Sequence, residues 1–148
     1  MTKTGSPPRW RGPVNKVIVA LNRCGLVVEH GAVLTVPGRR TGVLRHVPVS
    51  VLEQAGQRFL LAGYPSAEWP RNVRAAGGRV TVAVGRRAEA VHLVELDEDA
   101  AREILRAWPE RIPQGAKVMR DAGVVPDLTP GSFARLAGRC PVFRIEAA

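Results

Sequence analysis

The chain has 148 residues, 45% of them apolar and 24% charged, which is typical of one globular domain with its own core. The 22 basic residues are nearly all arginines and give a net charge of +9, which favours an anionic partner, although an arginine-rich genome would produce the same bias. No apolar run reaches the roughly 18 residues of a membrane span. The first residues lack a signal-peptide core, so a cytoplasmic location is expected.

The chain begins with a segment rich in Pro, Gly, Ser and basic residues, so residues 1–12 are predicted to be a flexible tail and residues 13–148 a single domain. Apolar residues at helical spacing predict a first helix over 13–25, ended by Gly25. Runs that are apolar or alternate with period two predict six strands, over residues 32–37, 43–53, 57–63, 79–85, 86–96 and 140–146. The fourth and fifth strands are predicted to form a hairpin at Gly85-Arg86.

Caps and breakers predict the remaining helices. One of about ten residues begins at Ser66 or, because Pro70 is tolerated only in a first turn, near Trp69, and it ends at Gly77-Gly78. Asp97 is predicted to cap a helix through about Trp108. Two more are predicted within and after the Pro- and Gly-rich segment 109–131, at about 114–121 and from Thr129 to about Ala137.

The order of these elements indicates the fold class. Six strands, mostly joined as antiparallel neighbours with helices inserted between them, favour an α+β domain built on a small barrel or a strongly bent sheet. A doubly wound parallel fold is disfavoured because strands and helices do not alternate strictly. A Rossmann glycine fingerprint is also absent from the sequence.

Several classes of site lack the residues that they need. Cys24 and Cys140 are far apart in sequence, and His30, His46 and His92 lack the spacing of a helical metal pair, so no metal site is expected. No nucleophile–base pair is recognisable. No helix-turn-helix, finger or RNA-binding aromatic motif accompanies the positive charge, so no nucleic-acid partner is expected.

The stretch "VLTVPGRRTGVLRHVPVSVLE" carries more charge than a hairpin requires, since two turn residues are enough to reverse the chain. Glycines at both ends of Gly38-Arg39-Arg40-Thr41-Gly42 allow a tight turn and a close approach of a ligand. The backbone N–H groups, both arginines, Thr41 and the following Arg45 are donors of the kind that hold a phosphate. A solvent-exposed charged turn remains the alternative reading.

These residues resemble a known family. A Gly-Arg-Arg-Thr-Gly turn, Arg45, Pro48, then Trp69 and Asn72-Val73-Arg74-Ala75 occur in the order and spacing of the deazaflavin-dependent nitroreductase family. The resemblance covers residues 14–96. It implies a split β-barrel that binds coenzyme F420 and transfers a hydride from the reduced coenzyme to a nitro, quinone or other conjugated acceptor.

The resemblance also implies where the coenzyme binds. Its phosphate-bearing tail would lie at the basic turn, and Pro48 would shape the groove under its ring. The implied coenzyme-binding residues are Arg39, Arg40, Thr41, Gly42, Arg45, Pro48, Ala62, Gly63, Tyr64, Trp69, Asn72 and Arg74. Tyr64 is a candidate proton donor, but no catalytic residue is assigned. Lys117 and Arg120 are further candidates for the acidic tail, and Trp69 can equally be a core residue.

Four questions stay open at this point. FMN has a phosphate that Arg40 and Arg45 would bind as readily as the deazaflavin tail. The single tyrosine, where some members have several near the C-terminus, leaves room for a binding or carrier protein of the same fold for a flavin, haem or lipid. The protein is expected to be a monomer or a homodimer without a membrane span, and Arg86-Arg87 is either a hairpin tip or part of the basic groove.

Overall fold

The computed structural model describes residues 31–148, so the predicted tail over 1–12 and the predicted helix over 13–25 lie outside the described residues. Within them, six antiparallel strands form a closed barrel in the order β1-β2-β3-β6-β5-β4. In chain order they are β1 (Gly31–Pro37), β2 (Leu44–Gln54), β3 (Gln57–Leu61), β4 (Arg79–Val84), β5 (Arg87–Glu95) and β6 (Val142–Ala147). The predicted α+β split barrel is confirmed.

Four helices are inserted between the strands of the described region. They are α1 (Trp69–Ala75), α2 (Glu98–Arg111), α3 (Pro113–Asp121) and α4 (Pro130–Ala134). Asp97 caps α2 by accepting a hydrogen bond from the Ala100 amide at 2.8 Å, and Thr129 caps α4, both as predicted. No helix among residues 31–148 is both long and apolar enough to cross a membrane.

The apolar side chains form two cores, one on each side of the barrel wall. The first fills the barrel and includes Leu34, Leu60, Trp69 and Phe143, all no more than 7% exposed. The second lies outside the wall, under α2, α3 and α4, and is built from residues such as Leu52, Phe59, Leu105, Trp108 and Phe133. Alternation along β3 thus sends Phe59 and Leu61 into the outer core and Leu60 into the barrel.

Strand β2 changes partner along its length, and this creates the split in the barrel. Residues 44–50 pair with β1, from Pro37↔Leu44 to Gly31↔Ser50. Residues 51–54 pair instead with residues 57–60 of β3. Among the described residues, the first seven residues of β2 therefore have a strand partner on one side only. We call residues 44–50 the open edge.

Several predicted boundaries were wrong, each because of a tertiary contact or a local cap. Ser66 is not the N-cap of α1: Glu68 occupies that position and makes no side-chain cap hydrogen bond. The third strand ends at Leu61 rather than residue 63: the Ala62 amide still donates to the carbonyl of Pro141 at 3.0 Å, in register with β6, but a proline has no N–H to return the ladder bond. Helix α2 continues through Pro109 to Arg111 instead of ending near Trp108. Helix α4 ends at Ala134, earlier than predicted.

Candidate functional site

The turn between β1 and β2 is held by its own backbone. The Gly38 amide donates to the carbonyl of Val43, and the Gly42 amide donates to the carbonyl of Gly38, both at 2.8 Å. Gly42 has a φ of +77°, a conformation that side chains of other residues disfavour. The Thr41 hydroxyl oxygen accepts from the Val43 amide at 3.2 Å, so its hydrogen remains able to donate elsewhere. We call residues 38–42 the basic turn.

Arg39 faces helix α1 rather than solvent. Its backbone amide and its Nη1 both donate to Oδ1 of Asn72, at 3.0 and 2.9 Å. Its Nη2 donates to Oε1 of Glu68 at 2.8 Å, and the Arg39 side chain is 22% exposed. Asn72 itself is only 7% exposed. The first arginine of the turn is therefore engaged by an acid and a buried amide 29 and 33 residues later in the chain.

Arg40 and Arg45 differ from Arg39 because neither forms a hydrogen bond or an ion pair with any residue between 31 and 148, and both are exposed. Arg45 lies across Gly38: a Cβ atom added at Gly38 would be 3.1 Å from Nε of Arg45. The side chain of Arg45 thus returns over the basic turn, as its spacing in the sequence predicted. Arg40, Arg45 and Thr41 thus bring two guanidinium groups without an acidic partner among residues 31–148 and one hydroxyl donor to the same end of the barrel.

The open edge begins directly after this turn. Val47, Val49 and Val51 pack toward the barrel core, so the alternate residues Leu44, His46, Pro48 and Ser50 lie on the outer face. Leu44 is 58% exposed and Pro48 is half-buried. Proline lacks an N–H, which is why within sheets it is confined to edge strands, strand beginnings and bulges. Its place in the open edge fits that rule.

The segment that follows β3 faces this edge. Continuing the β2–β3 register brings Gly63 level with Pro48. Ala62 is fully buried, Gly63 is half-buried and Tyr64 is 39% exposed. We call residues 62–68 the far wall, since they run from the end of β3 to the beginning of α1.

Helix α3 closes the other end of the open edge. A Cβ atom added at Gly115 would be 3.8 Å from Oγ of Ser50, and one added at Gly63 would be 3.7 Å from Cγ of Met119. Lys117 is exposed on this helix, while Arg120 pairs with Asp121 at 3.3 Å. The candidate site is therefore bordered by the open edge, the far wall, α3 and the basic turn.

Three further predicted site residues support the far wall from behind. Trp69 is 7% exposed, and its ring centroid lies 5.3 Å from that of Phe143 inside the barrel. Arg74 donates two hydrogen bonds to Glu95 on β5, at 2.8 and 2.9 Å, and the first of these raises the pKa of Arg74. The side chains of Trp69, Asn72 and Arg74 are therefore all engaged in contacts within the protein.

The histidine of the open edge and the described cysteine have different surroundings. Nδ1 of His46 lies 2.9 Å from Oγ1 of Thr35, on the outer face. Cys140 is buried and free, and desolvation raises the pKa of its thiol to about 11. Cys24 lies outside the described residues. Among residues 31–148, no three His, Cys, Asp or Glu side chains are grouped so that they could hold a metal ion.

Two residues at this end of the barrel were not predicted. Glu68 is the acid that pairs with Arg39, and its signal in the sequence is that it is the sole acidic residue between Tyr64 and Gly78. Arg79 begins β4, whose pairing Thr35↔Thr81 places it at the same end as the basic turn. Pairing of Val33 with Ala83 places Arg86-Arg87 at the opposite end, outside the basic groove.

Comparison with known proteins identifies the family. The model of the F420H2-dependent quinone reductase family matches residues 21–122, more than half of the chain. The chain belongs to this family. The protein is therefore an oxidoreductase, and its cofactor is coenzyme F420. The alternative cofactor, FMN, is no longer required to explain the basic turn. The resemblance to deazaflavin-dependent reductases seen in the sequence is confirmed.

Solved structures support the fold of this family member. An F420H2-dependent reductase, FDR-A, is 25% identical, with a TM-score of 0.55 over 81% of this chain and 97% of that one. A protein described as a domain-swapped dimer is 22% identical, with a TM-score of 0.57 over 95% and 100% of the two chains. A protein of unknown function from Agrobacterium tumefaciens is 15% identical, with a TM-score of 0.58 over 99% and 57%. None of the curated proteins matches the chain.

Proposed function

We propose that this reductase holds the phosphate-bearing tail of coenzyme F420 at the basic turn and the deazaflavin ring along the open edge, and that it reduces a nitro, quinone or other conjugated acceptor. One observation carries the proposal. Arg40 and Arg45, which have no acidic partner among residues 31–148, lie at the beginning of the open edge, the stretch of β2 that pairs with β1 and not with β3.

The donors at the basic turn suit an anion. Arg40 and Arg45 each offer a planar fork of N–H groups, which matches phosphate and carboxylate oxygens. Thr41 adds a hydroxyl, and the glycine at position 42 lets the backbone approach closely. A hydrogen bond to a charged group contributes about 1.5–3 kcal/mol where water is excluded, and less at a turn as exposed as this one.

The open edge and the far wall suit a flat ring. Pro48 presents an apolar surface without an N–H, and the backbone of Ala62, Gly63 and Tyr64 would border the ring from the other side. In this proposal Trp69 and Arg74 do not contact the ring. They hold the far wall through Phe143 and Glu95.

Bound F420H2 supplies the hydride, and the protein's own contribution is to orient the reactants and to exclude water. Reduction of a quinone to a hydroquinone also consumes a proton. Tyr64 is the candidate donor because its phenol belongs to the far wall and is 39% exposed, so solvent can restore its proton. Solvent can also protonate the acceptor directly.

Binding of oxidised F420, followed by its own fluorescence, tests the site. We expect Arg40→Gln and Arg45→Gln to weaken binding about tenfold each. The matched control is Arg106→Gln, which removes one positive charge from an exposed pair with Glu103 on α2. Equal affinities for all three variants and the parent protein would contradict the assignment of the tail site.

The acceptor is tested separately, by oxidation of F420H2 with a quinone and with a nitroaromatic compound. The family match motivates a quinone first. Tyr64→Phe should slow quinone reduction while leaving F420 affinity unchanged if the phenol delivers the proton. A cytoplasmic location and a monomeric or homodimeric state are also part of this proposal, and sedimentation velocity tests the latter.

A further inference from the structure

We infer that Arg39 is a positioning residue, which holds the basic turn against helix α1 and does not itself bind the coenzyme. This inference rests on the proposed function, because it concerns the same site. It divides two adjacent arginines into different roles. Arg40 would contact the anion. Arg39 would instead hold the basic turn in the position from which Arg40 and Arg45 bind that anion.

The contacts of Arg39 leave little of it available to a ligand. Its backbone amide, Nη1 and Nη2 all have acceptors within 3.0 Å, two of them the same oxygen of Asn72. Glu68 compensates its charge at 2.8 Å. An anion at Arg39 would have to compete with a carboxylate already in place. We call Arg39, Asn72 and Glu68 the turn clamp.

The turn clamp joins two parts of the chain that border the site from different sides. Arg39 follows β1 and precedes the open edge, while Glu68 ends the far wall and Asn72 lies in α1. Helix α1 is anchored in the barrel core through Trp69 and Val73, which are 7% and 1% exposed. A rigid helix thus fixes the position of a turn that carries both unpaired arginines.

Because Asn72 is buried, its contact with Arg39 matters more to the structure than a hydrogen bond on the surface would. The side chain is 7% exposed, and its oxygen accepts both the amide and the Nη1 of Arg39. A buried acceptor that loses its donors costs free energy, so the helix and the turn stabilise one another's positions. An asparagine at position 72, between the buried Trp69 and Val73, is explained by this contact.

The experiment compares Asn72→Ala, Arg39→Gln and their combination in the full-length protein, with F420 fluorescence as the measure of affinity. Asn72→Ala leaves every charge at the site unchanged. We expect each single variant to weaken binding about tenfold and the double variant to lose less than the sum of the two, because both changes remove the bond between Nη1 of Arg39 and Asn72 and loosen the same turn clamp. Arg106→Gln is again the charge-matched control. Melting temperatures identify any variant that is misfolded.

A second measurement requires no coenzyme. Hydrogen exchange at the amides of Gly38, Arg39 and Gly42, all hydrogen-bonded in the parent protein, should become faster in Asn72→Ala and in Arg39→Gln. Should Asn72→Ala fold poorly, Arg39→Gln and Arg39→Lys provide the same test, since lysine keeps the charge but cannot reach both partners with a fork. We expect Arg39→Lys to bind as weakly as Arg39→Gln.

The outcomes separate the two proposals. If Arg39 binds the coenzyme directly, Asn72→Ala frees its guanidinium, so affinity stays at the parent value while Arg39→Gln lowers it. That result, or additive losses in the double variant, would overturn the positioning role and leave the tail site intact. If Arg40→Gln also binds normally, the tail site itself is wrong and the inference falls with it.

Discussion

Gly38 and Gly42 bracket the same turn, yet the structure predicts opposite consequences for replacing them with alanine. At Gly38 the backbone φ is not in the left-handed region, but an added Cβ would lie 3.1 Å from Nε of Arg45 and 3.2 Å from the carbonyl of Val43. At Gly42 no atom lies within 4 Å, but φ is +77°. The first change is therefore a steric one, and the second is a change in backbone strain.

The expected magnitudes follow from these two situations. Gly42→Ala should lower the free energy of unfolding by about 1–2 kcal/mol, the cost of a left-handed residue with a Cβ. Gly38→Ala should change stability little, since the loss of freedom in the unfolded chain stabilises by about 0.4–1 kcal/mol and offsets the tight contacts. Its effect should fall on Arg45, whose guanidinium must move by a few tenths of an ångström, and F420 affinity should fall about three- to tenfold.

Urea unfolding and F420 fluorescence titration measure the two quantities on the same samples. We expect Gly38→Ala to bind more weakly at near-parent stability and Gly42→Ala to unfold earlier while keeping most of its affinity. The reverse order of the two variants in both assays would refute the reasoning. Parent-like affinity of Gly38→Ala alone would show that Arg45 does not need its position over the turn.

Three other predictions concern the fold. In a Cys24→Ser background, the Cys140 thiol, whose pKa burial raises to about 11, should resist a thiol reagent at pH 8 until denaturant is added; immediate labelling of the native protein would contradict its burial. Hydrogen bonds from Ser132 and Thr129 lower the pKa of Asp127 to about 2, below the ordinary unfolded value of about 3.9, so the stabilisation is present above pH 4 and is lost as the pH falls through 2. Acid titration should therefore show the stability difference from Asp127→Asn shrinking over that range, and a constant difference would argue against it. Phe143→Ala should cost about 3–5 kcal/mol in urea unfolding, because the ring is 1% exposed in the barrel core; a loss under 1 kcal/mol would contradict this packing.

The strands could be predicted from the sequence because their signals are local. Alternation with period two and the breaks between runs placed all six strands, with bounds within two or three residues of those observed. The caps Asp97 and Thr129 were recognisable for the same reason. Closure of the barrel was not, since the pairings of β1 with β4 and of β3 with β6 join segments far apart in the chain. The end of β3 depended on such a pairing, because the residue of the partner segment in register with Ala62 is Pro141, which has no N–H.

The candidate site was proposed from the sequence, but the different contacts of its two adjacent arginines could not be predicted. Arg39 and Arg40 are neighbours with the same side chain in the same turn, so local pattern assigns them the same role. What distinguishes them is Asn72, 33 residues away. A polar residue between two apolar positions of a short helix was the available signal, because a buried amide needs a partner.

The net charge of +9 was also a weak guide to the site, because a total charge does not show which basic residues have an acidic partner. Within residues 31–148 many arginines have an acidic partner, as in the pairs of Arg58 with Glu89, Arg102 with Asp99 and Arg144 with Glu146. A surface of paired arginines attracts polyanions weakly, which agrees with the missing nucleic-acid motifs. Specific attraction for an anion requires guanidinium groups that lack an acid and converge on one point. Arg40 and Arg45 have no acidic partner among residues 31–148 and belong to the same end of the barrel, and the proposed tail site rests on these two residues rather than on the total charge.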